Sequence, residues 1–110
     1  SQGVIKRTFP RDTVEFIEAV IETVDDPATA TVKLALRDAA ASSYTWLNAG
    51  WVGAATLNGL TGLYERTART SAVVGLTAAS YPARSYTVYA QVTLGSEVAI
   101  AECYALTISP

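Results

Sequence analysis

Residues 30–37, ATVKLALR, alternate with a period of two: Val32, Leu34 and Leu36 fall on one side, Thr31, Lys33, Ala35 and Arg37 on the other. Successive side chains of a strand point to opposite faces, so the pattern predicts a half-buried strand. The DDP just before it predicts a turn, because Asp side chains bond their own backbone and Pro27 holds Asp26 extended. Residues 85–109 alternate, break at Gly95-Ser96 and alternate again. That is a β-hairpin closed by a two-residue turn in which Gly accepts a positive φ without a steric penalty. Tyr86, Val88, Ala90, Val92 and Leu94 make one face of it. Val98, Ile100, Tyr104, Leu106 and Ile108 make another, interrupted by Glu102, for which a strand end, a bulge and a water-facing position all fit.

Residues 12–24, DTVEFIEAVIETV, carry two patterns at once. Asp12 with Glu15 resembles a capping box, and Val14, Ile17, Ile21 and Val24 fall at helical spacing. The same stretch is rich in Val, Ile, Phe and Thr, which suit strands, and strand is the preferred reading. In the middle of the chain NAGWVG, LNGLTG and SYP bring Gly, Asn and Pro at short intervals and predict turns. Between them YERTARTSAVVGL and YTWL are short enough for strands, and 39–43 reads as a loop. Many short strands with frequent turns predict an all-β fold, a sandwich or a barrel, with no internal repeat and no linker.

Composition narrows the class. The 110 residues suit one domain spanning 1–110. Half the chain is apolar and 16% is charged, the reverse of what disorder requires. The formal net charge of −2 lacks the basic footprint of a nucleic-acid binder. No apolar run approaches the roughly 18–20 residues of a membrane-spanning helix, so neither nucleic acid nor membrane is an expected partner. No charged-then-apolar leader opens the chain, and Ser1 suits removal of an initiator Met, so a complete small gene product made in a reducing cytoplasm is expected. Lys6, Arg7 and Arg11 cluster in an N-terminal arm, residues 1–11, which is either solvated or docks on an acidic neighbour.

The inventory of reactive groups is short. Histidine is absent, which removes the commonest general base and most zinc sites. The single cysteine, Cys103, has no internal disulfide partner and no neighbouring base, and reads as a small buried hydrophobe. Asp25, Asp26 and Asp38 could line one end of a sandwich, but nothing supplies the six to eight oxygens of a calcium site. Glu65, Glu97 and Glu102 are too scattered to form a catalytic pair. The glycine stretches lack the lysine and spacing of a phosphate loop. No enzyme activity, cofactor or metal is therefore expected. Trp46 and Trp51, with Tyr44, Tyr64, Tyr81, Tyr86, Tyr89 and Tyr104, are divided among three roles: core, protein interface and ligand platform.

Three stretches carry a family likeness: YTWLNAGWVG, GLYERTART, and YPARSYTVYAQVTLGSEVAIAECYALTI. They resemble the small Ig-like virion proteins of tailed bacteriophages, especially those infecting actinobacteria. FPRDTVEF and DDPATATVKLAL resemble the opening strands of such domains. The resemblance implies an Ig-like antiparallel β-sandwich of seven to eight strands ending in the C-terminal hairpin. Tyr86 would be its corner tyrosine. It also implies a non-enzymatic virion component, foremost a capsid decoration or cement protein, with a tail or baseplate subunit as the alternative. Its partners would be the major capsid protein or tail proteins, in a symmetric homo-oligomeric arrangement. Lys6, Arg7, Arg11, Trp46, Trp51, Tyr64 and Arg66 are the expected contact residues. A carbohydrate- or cell-surface-binding sandwich, suggested by the aromatic set, is a further alternative.

Overall fold

The computed structural model describes residues 7–110 and contains, in that span, nine strands and no helix. They are β1 (Thr8–Pro10), β2 (Val14–Glu15), β3 (Glu18–Thr23), β4 (Thr31–Arg37), β5 (Leu47–Leu57), β6 (Tyr64–Thr70), β7 (Val74–Gly75), β8 (Ser85–Leu94) and β9 (Glu97–Ser109). Seven form a continuous sheet in the order β1-β9-β8-β4-β5-β6-β3, and β2 pairs with β7 beside it. The sheet folds on itself through β5. Its first residues, Leu47 and Asn48, pair with β4, and from Ala49 onward it pairs with β6. One layer is thus β9-β8-β4 and the other β5-β6-β3, the order of the two sheets of an immunoglobulin-like sandwich. All pairs are antiparallel except β1 with β9, which is parallel.

The alternation predicted for β4 is present: Val32, Leu34 and Leu36 are buried in the core. They meet Ile17, Ala19 and Ile21 from the opposite layer and Val88, Leu106 and Ile108 from the hairpin. Removing such apolar area from water is what holds two facing sheets together. Residues 12–24 contain no helix and form two strands, β2 and β3, with an irregular break at Phe16-Ile17 between them. Asp12 sits at a positive φ of 67°, a conformation Asp tolerates, and its N–H donates to Leu76 O at 2.9 Å. The capping-box spacing is overridden because Ile17, Ala19 and Ile21, two apart, bury one strand face.

The part of the N-terminal arm that is described is no loose tail. Thr8, Phe9 and Pro10 pair with Thr107, Ile108 and Ser109, and Phe9 is 2% exposed. NAGWVG, read as a turn, lies inside β5. Its Gly53, at a φ of 75°, sits where the β5–β6 register slips between Val52 and Thr56. LNGLTG is the turn expected. Asn58 Oδ1 accepts from the N–H groups of Leu60 and Thr61 at 2.9 and 3.3 Å, and Gly62 takes a φ of 74°. In the terminal hairpin Leu94 faces Glu97, and Gly95 takes a φ of 62° as the first central residue of the tight turn.

One buried polar residue ties the end of β6 to the chain entering β3. Thr70 Oγ1 accepts from the Ile17 N–H at 3.1 Å, and Thr70 N–H donates to Ile17 O at 2.9 Å. Thr70→Val keeps the shape but strands the Ile17 N–H, and should cost about 1–3 kcal/mol in urea unfolding. Thr70→Ser should recover most of that, and a Val variant as stable as the parent would refute the assignment.

Candidate interaction surface

The outward face of β9-β8-β4 carries an aromatic cluster built around an arginine. Arg37, on the outward side of β4, donates from Nε and Nη2 to Ala41 O at 3.2 and 2.9 Å. Asp38 Oδ1 accepts from the N–H groups of Ala40 and Ala41 at 2.7 and 3.0 Å, and its Oδ2 pairs with Arg84 at 3.1 Å. These bonds fold the segment after β4 back against the sheet. They bring Tyr44 under the Arg37 guanidinium at 4.7 Å, with Tyr89 of β8 at 5.9 Å. Trp46 stacks on Tyr44 at 4.8 Å and 17°, and Tyr44 meets Tyr89 edge-on at 5.1 Å and 79°. Ala35, opposite Tyr89 on the same face, is fully buried, so the aromatic segment roofs the sheet there. A guanidinium held over aromatic rings keeps unused donors, which suits it to carboxylates, carbonyls and planar groups of a partner.

Beside the cluster lies apolar surface that the bulge in β9 creates. Val88 pairs with Tyr104 and Tyr89 with Glu102, so Cys103 is the extra residue. Before the bulge, Ala99 and Ala101 share the inward side with Val92 and Ala90, while Val98, Ile100 and Glu102 share the outward side with Thr93, Gln91 and Tyr89. The single face expected for Val98, Ile100, Tyr104, Leu106 and Ile108 is therefore split at Cys103. Val98 is 57% and Ile100 49% exposed, whereas Leu106 and Ile108 are core. Glu102 stands at the bulge and faces water.

The residues expected to make contacts are dispersed. Trp46 belongs to the cluster just described. Trp51 turns toward the interior: it packs on the core, and its Nε1 donates to Ala30 O at 2.8 Å. Arg66 lies over Trp51 at 4.9 Å and donates to Gly53 O and Pro27 O, both at 3.0 Å. Tyr64 is half-buried two residues away on the same side of β6 as Arg66. Arg7 is exposed and its guanidinium lies 5.3 Å over the Tyr104 ring; Arg11 is exposed and donates its N–H to Ser109 O at 3.0 Å. Lys6 lies outside the described residues. Arg37, Tyr44 and Tyr89, which are not among the expected contact residues, complete the cluster. For Arg37 and Tyr89 the period of two carries the signal, since each occupies an outward position of its strand.

Two tyrosines act as struts. Tyr86 Oη donates to Pro82 O at 2.6 Å, bracing the corner where β8 begins. Tyr104 Oη donates to Glu18 O at 2.6 Å, joining β9 to β3 across the sandwich. Burial raises the Tyr104 pKa well above the usual tyrosine range, so the phenol keeps its proton and its bond. Cys103 is half-buried, and burial likewise pushes its thiol pKa up, outweighing a bond from the Ala90 backbone. A raised pKa leaves the thiol protonated at neutral pH and a poor nucleophile.

Asp25 and Asp26 precede β4 and Asp38 follows it, so they stand at opposite ends of that strand and not together. Among the described residues no group of three or more His, Cys, Asp or Glu side chains is placed to hold a metal ion. No protein-family model matches the chain. No curated protein matches it either.

Proposed function

We propose that this protein is a non-enzymatic structural component of a tailed-phage virion, a capsid decoration protein that binds the head through the outward face of β9-β8-β4. The observation that supports this reading most is the Arg37–Tyr44–Trp46–Tyr89 cluster with Ile100 and Val98 beside it. Interfaces concentrate their energy in Trp, Tyr and Arg, and this face offers all three already held in place, so little ordering is needed on binding. The likeness of YTWLNAGWVG and of the final hairpin to phage virion proteins supplies the identity of the assembly. Contacts that are individually weak become effective when repeated over a symmetric lattice. The protein is made in the host cytoplasm and ends in the virion, with capsid proteins as its partners.

The test is co-sedimentation with phage capsids and, separately, with tails. Saturable binding to capsids at a lattice stoichiometry is the expected result. Trp46→Ala should weaken it at least about tenfold while leaving the thermal midpoint within a few degrees. Binding to tails alone would replace the head by the tail or baseplate. Binding to neither, with titratable binding to glycans, would overturn the virion reading.

A further inference from the structure

The two layers do not close along their whole seam. At one end Tyr104 bridges to Glu18. Toward the hairpin turn the seam opens into a groove of about 390 Å³. Its apolar lining comes from three places: Ile21 and Val24 in and just after β3, Val92 and Leu94 of β8, and Ala99 and Ala101 of β9. The cause is the bulge at Cys103. It turns Val98 and Ile100 outward and leaves two alanines facing in, so the side chains that would fill this end of the sandwich are absent from it. Val24, at the lip, is 77% exposed.

Three further features define what fits there. Among the described residues Glu22, Asp25 and Glu97 line the groove and no Lys or Arg does, so its rim is acidic. Among the described residues β3 pairs only with β6, and β9 pairs with β1 only over Thr107–Ser109, so both strands flanking the groove present unpaired edges. The chain also carries a segment of matching chemistry. Residues 1–7 read SQGVIKR, an apolar pair, Val4-Ile5, followed by two cations, Lys6 and Arg7.

We propose that this groove is a self-association site that takes the N-terminal segment, residues 1–6, of a second copy of this chain. Val4 and Ile5 fill the apolar space, Lys6 meets the acidic rim, and the segment's backbone pairs with an open strand edge, the strand-addition mode of peptide recognition. The same chain is the less suitable donor. β1 runs parallel to β9 from Thr8 opposite Thr107. A strand that kept this register would set positions 4 and 5 level with 103 and 104, short of Ala99 and Ala101 in the groove. A segment of one copy in the groove of the next is a head-to-tail contact, which builds rings or linear arrays. The proposal goes beyond the virion reading and does not depend on it.

Sedimentation velocity over a concentration series, on the full chain, tests this. The expected result is mass rising with concentration. Removal of residues 1–6 and the point variant Ile5→Asp should each abolish it, with circular dichroism confirming the fold. Ala99→Trp, which fills the groove from inside the chain, should do the same. Glu22→Lys with Glu97→Lys should weaken it at least about tenfold and make it less salt-sensitive. A labelled SQGVIKR peptide should bind the shortened chain and lose binding to Ala99→Trp. A full chain that stays monomeric into the millimolar range would overturn the proposal. So would association that survives loss of residues 1–6, or a monomeric full chain whose shortened form binds the peptide, which would place the segment in its own chain's groove.

Discussion

Deleting Ala101 should destabilise the protein by about 3–5 kcal/mol, whereas deleting Cys103, two residues along the same strand, should cost about 1 kcal/mol. The contrast follows from the bulge. With Cys103 removed, Tyr104 still faces Val88 and Glu102 still faces Tyr89, because those pairs already flank the extra residue. Every inward and outward position is kept, and what is lost is the packing of one half-buried thiol. With Ala101 removed, the strand has two ways to respond. If the bulge stays, Ile100 moves opposite Ala90 and Val98 opposite Val92, and the slip carries through to the turn: Leu94 comes to face Ser96 with Gly95 alone between them, too few residues to close the hairpin. If the bulge is absorbed, Glu102 moves opposite Ala90, which is fully buried, and a carboxylate is driven against the core. Both routes are costly, since a one-residue slip exchanges the two faces of a strand. Thermal and urea midpoints of the two deletions decide the matter. Equal losses would show that Cys103 is not the residue that sets the register.

Period-two patterning made β4, the β8–β9 hairpin and its Gly95-Ser96 turn readable, because each buries one face against the core and the core enforces the alternation. It failed at the two irregularities. Glu102 interrupts an otherwise apolar series, and a bulge is one reading that fits it, but no residue type marks which position is extra. Cys103 is extra because its neighbours on both sides must meet β8 correctly, which is a long-range condition. NAGWVG reads as a turn because glycine usually punctuates, yet Gly50 and Gly53 sit within β5. Trp46 and Trp51 illustrate the same limit at the candidate site. Their spacing of five puts them on opposite sides of an extended chain. One joined the outward aromatic cluster and the other the interior, and only the fold brings Tyr89, forty-three positions after Trp46, into that cluster.

Arg66 separates bracing from recognition, since a sequence reading makes it a contact residue and its surroundings make it a strut. Its guanidinium reaches Gly53 O in the irregular part of β5 and Pro27 O in the connection before β4, both at 3.0 Å, while lying on Trp51. Those carbonyls belong to segments that no regular ladder holds: the register of β5 slips at Gly53, and Pro27 lies between β3 and β4. Trp51 Nε1 adds a third tie to the same connection at Ala30 O. Arg66→Ala should therefore lower stability by about 2–3 kcal/mol, two hydrogen bonds from a charged donor discounted for partial exposure. Arg66→Lys should recover less than half, because a compact ammonium cannot reproduce the planar fork that spans both carbonyls and stacks on the indole. The measurement is the urea midpoint of the isolated chain, taken beside its binding to capsids. A strut shifts the midpoint in the isolated chain and weakens binding only as far as the fold is lost. An Arg66→Ala chain with an unchanged midpoint and weakened capsid binding would instead make Arg66 part of the recognition surface, and would move that surface from the β9-β8-β4 face to the β5-β6 end of the sandwich.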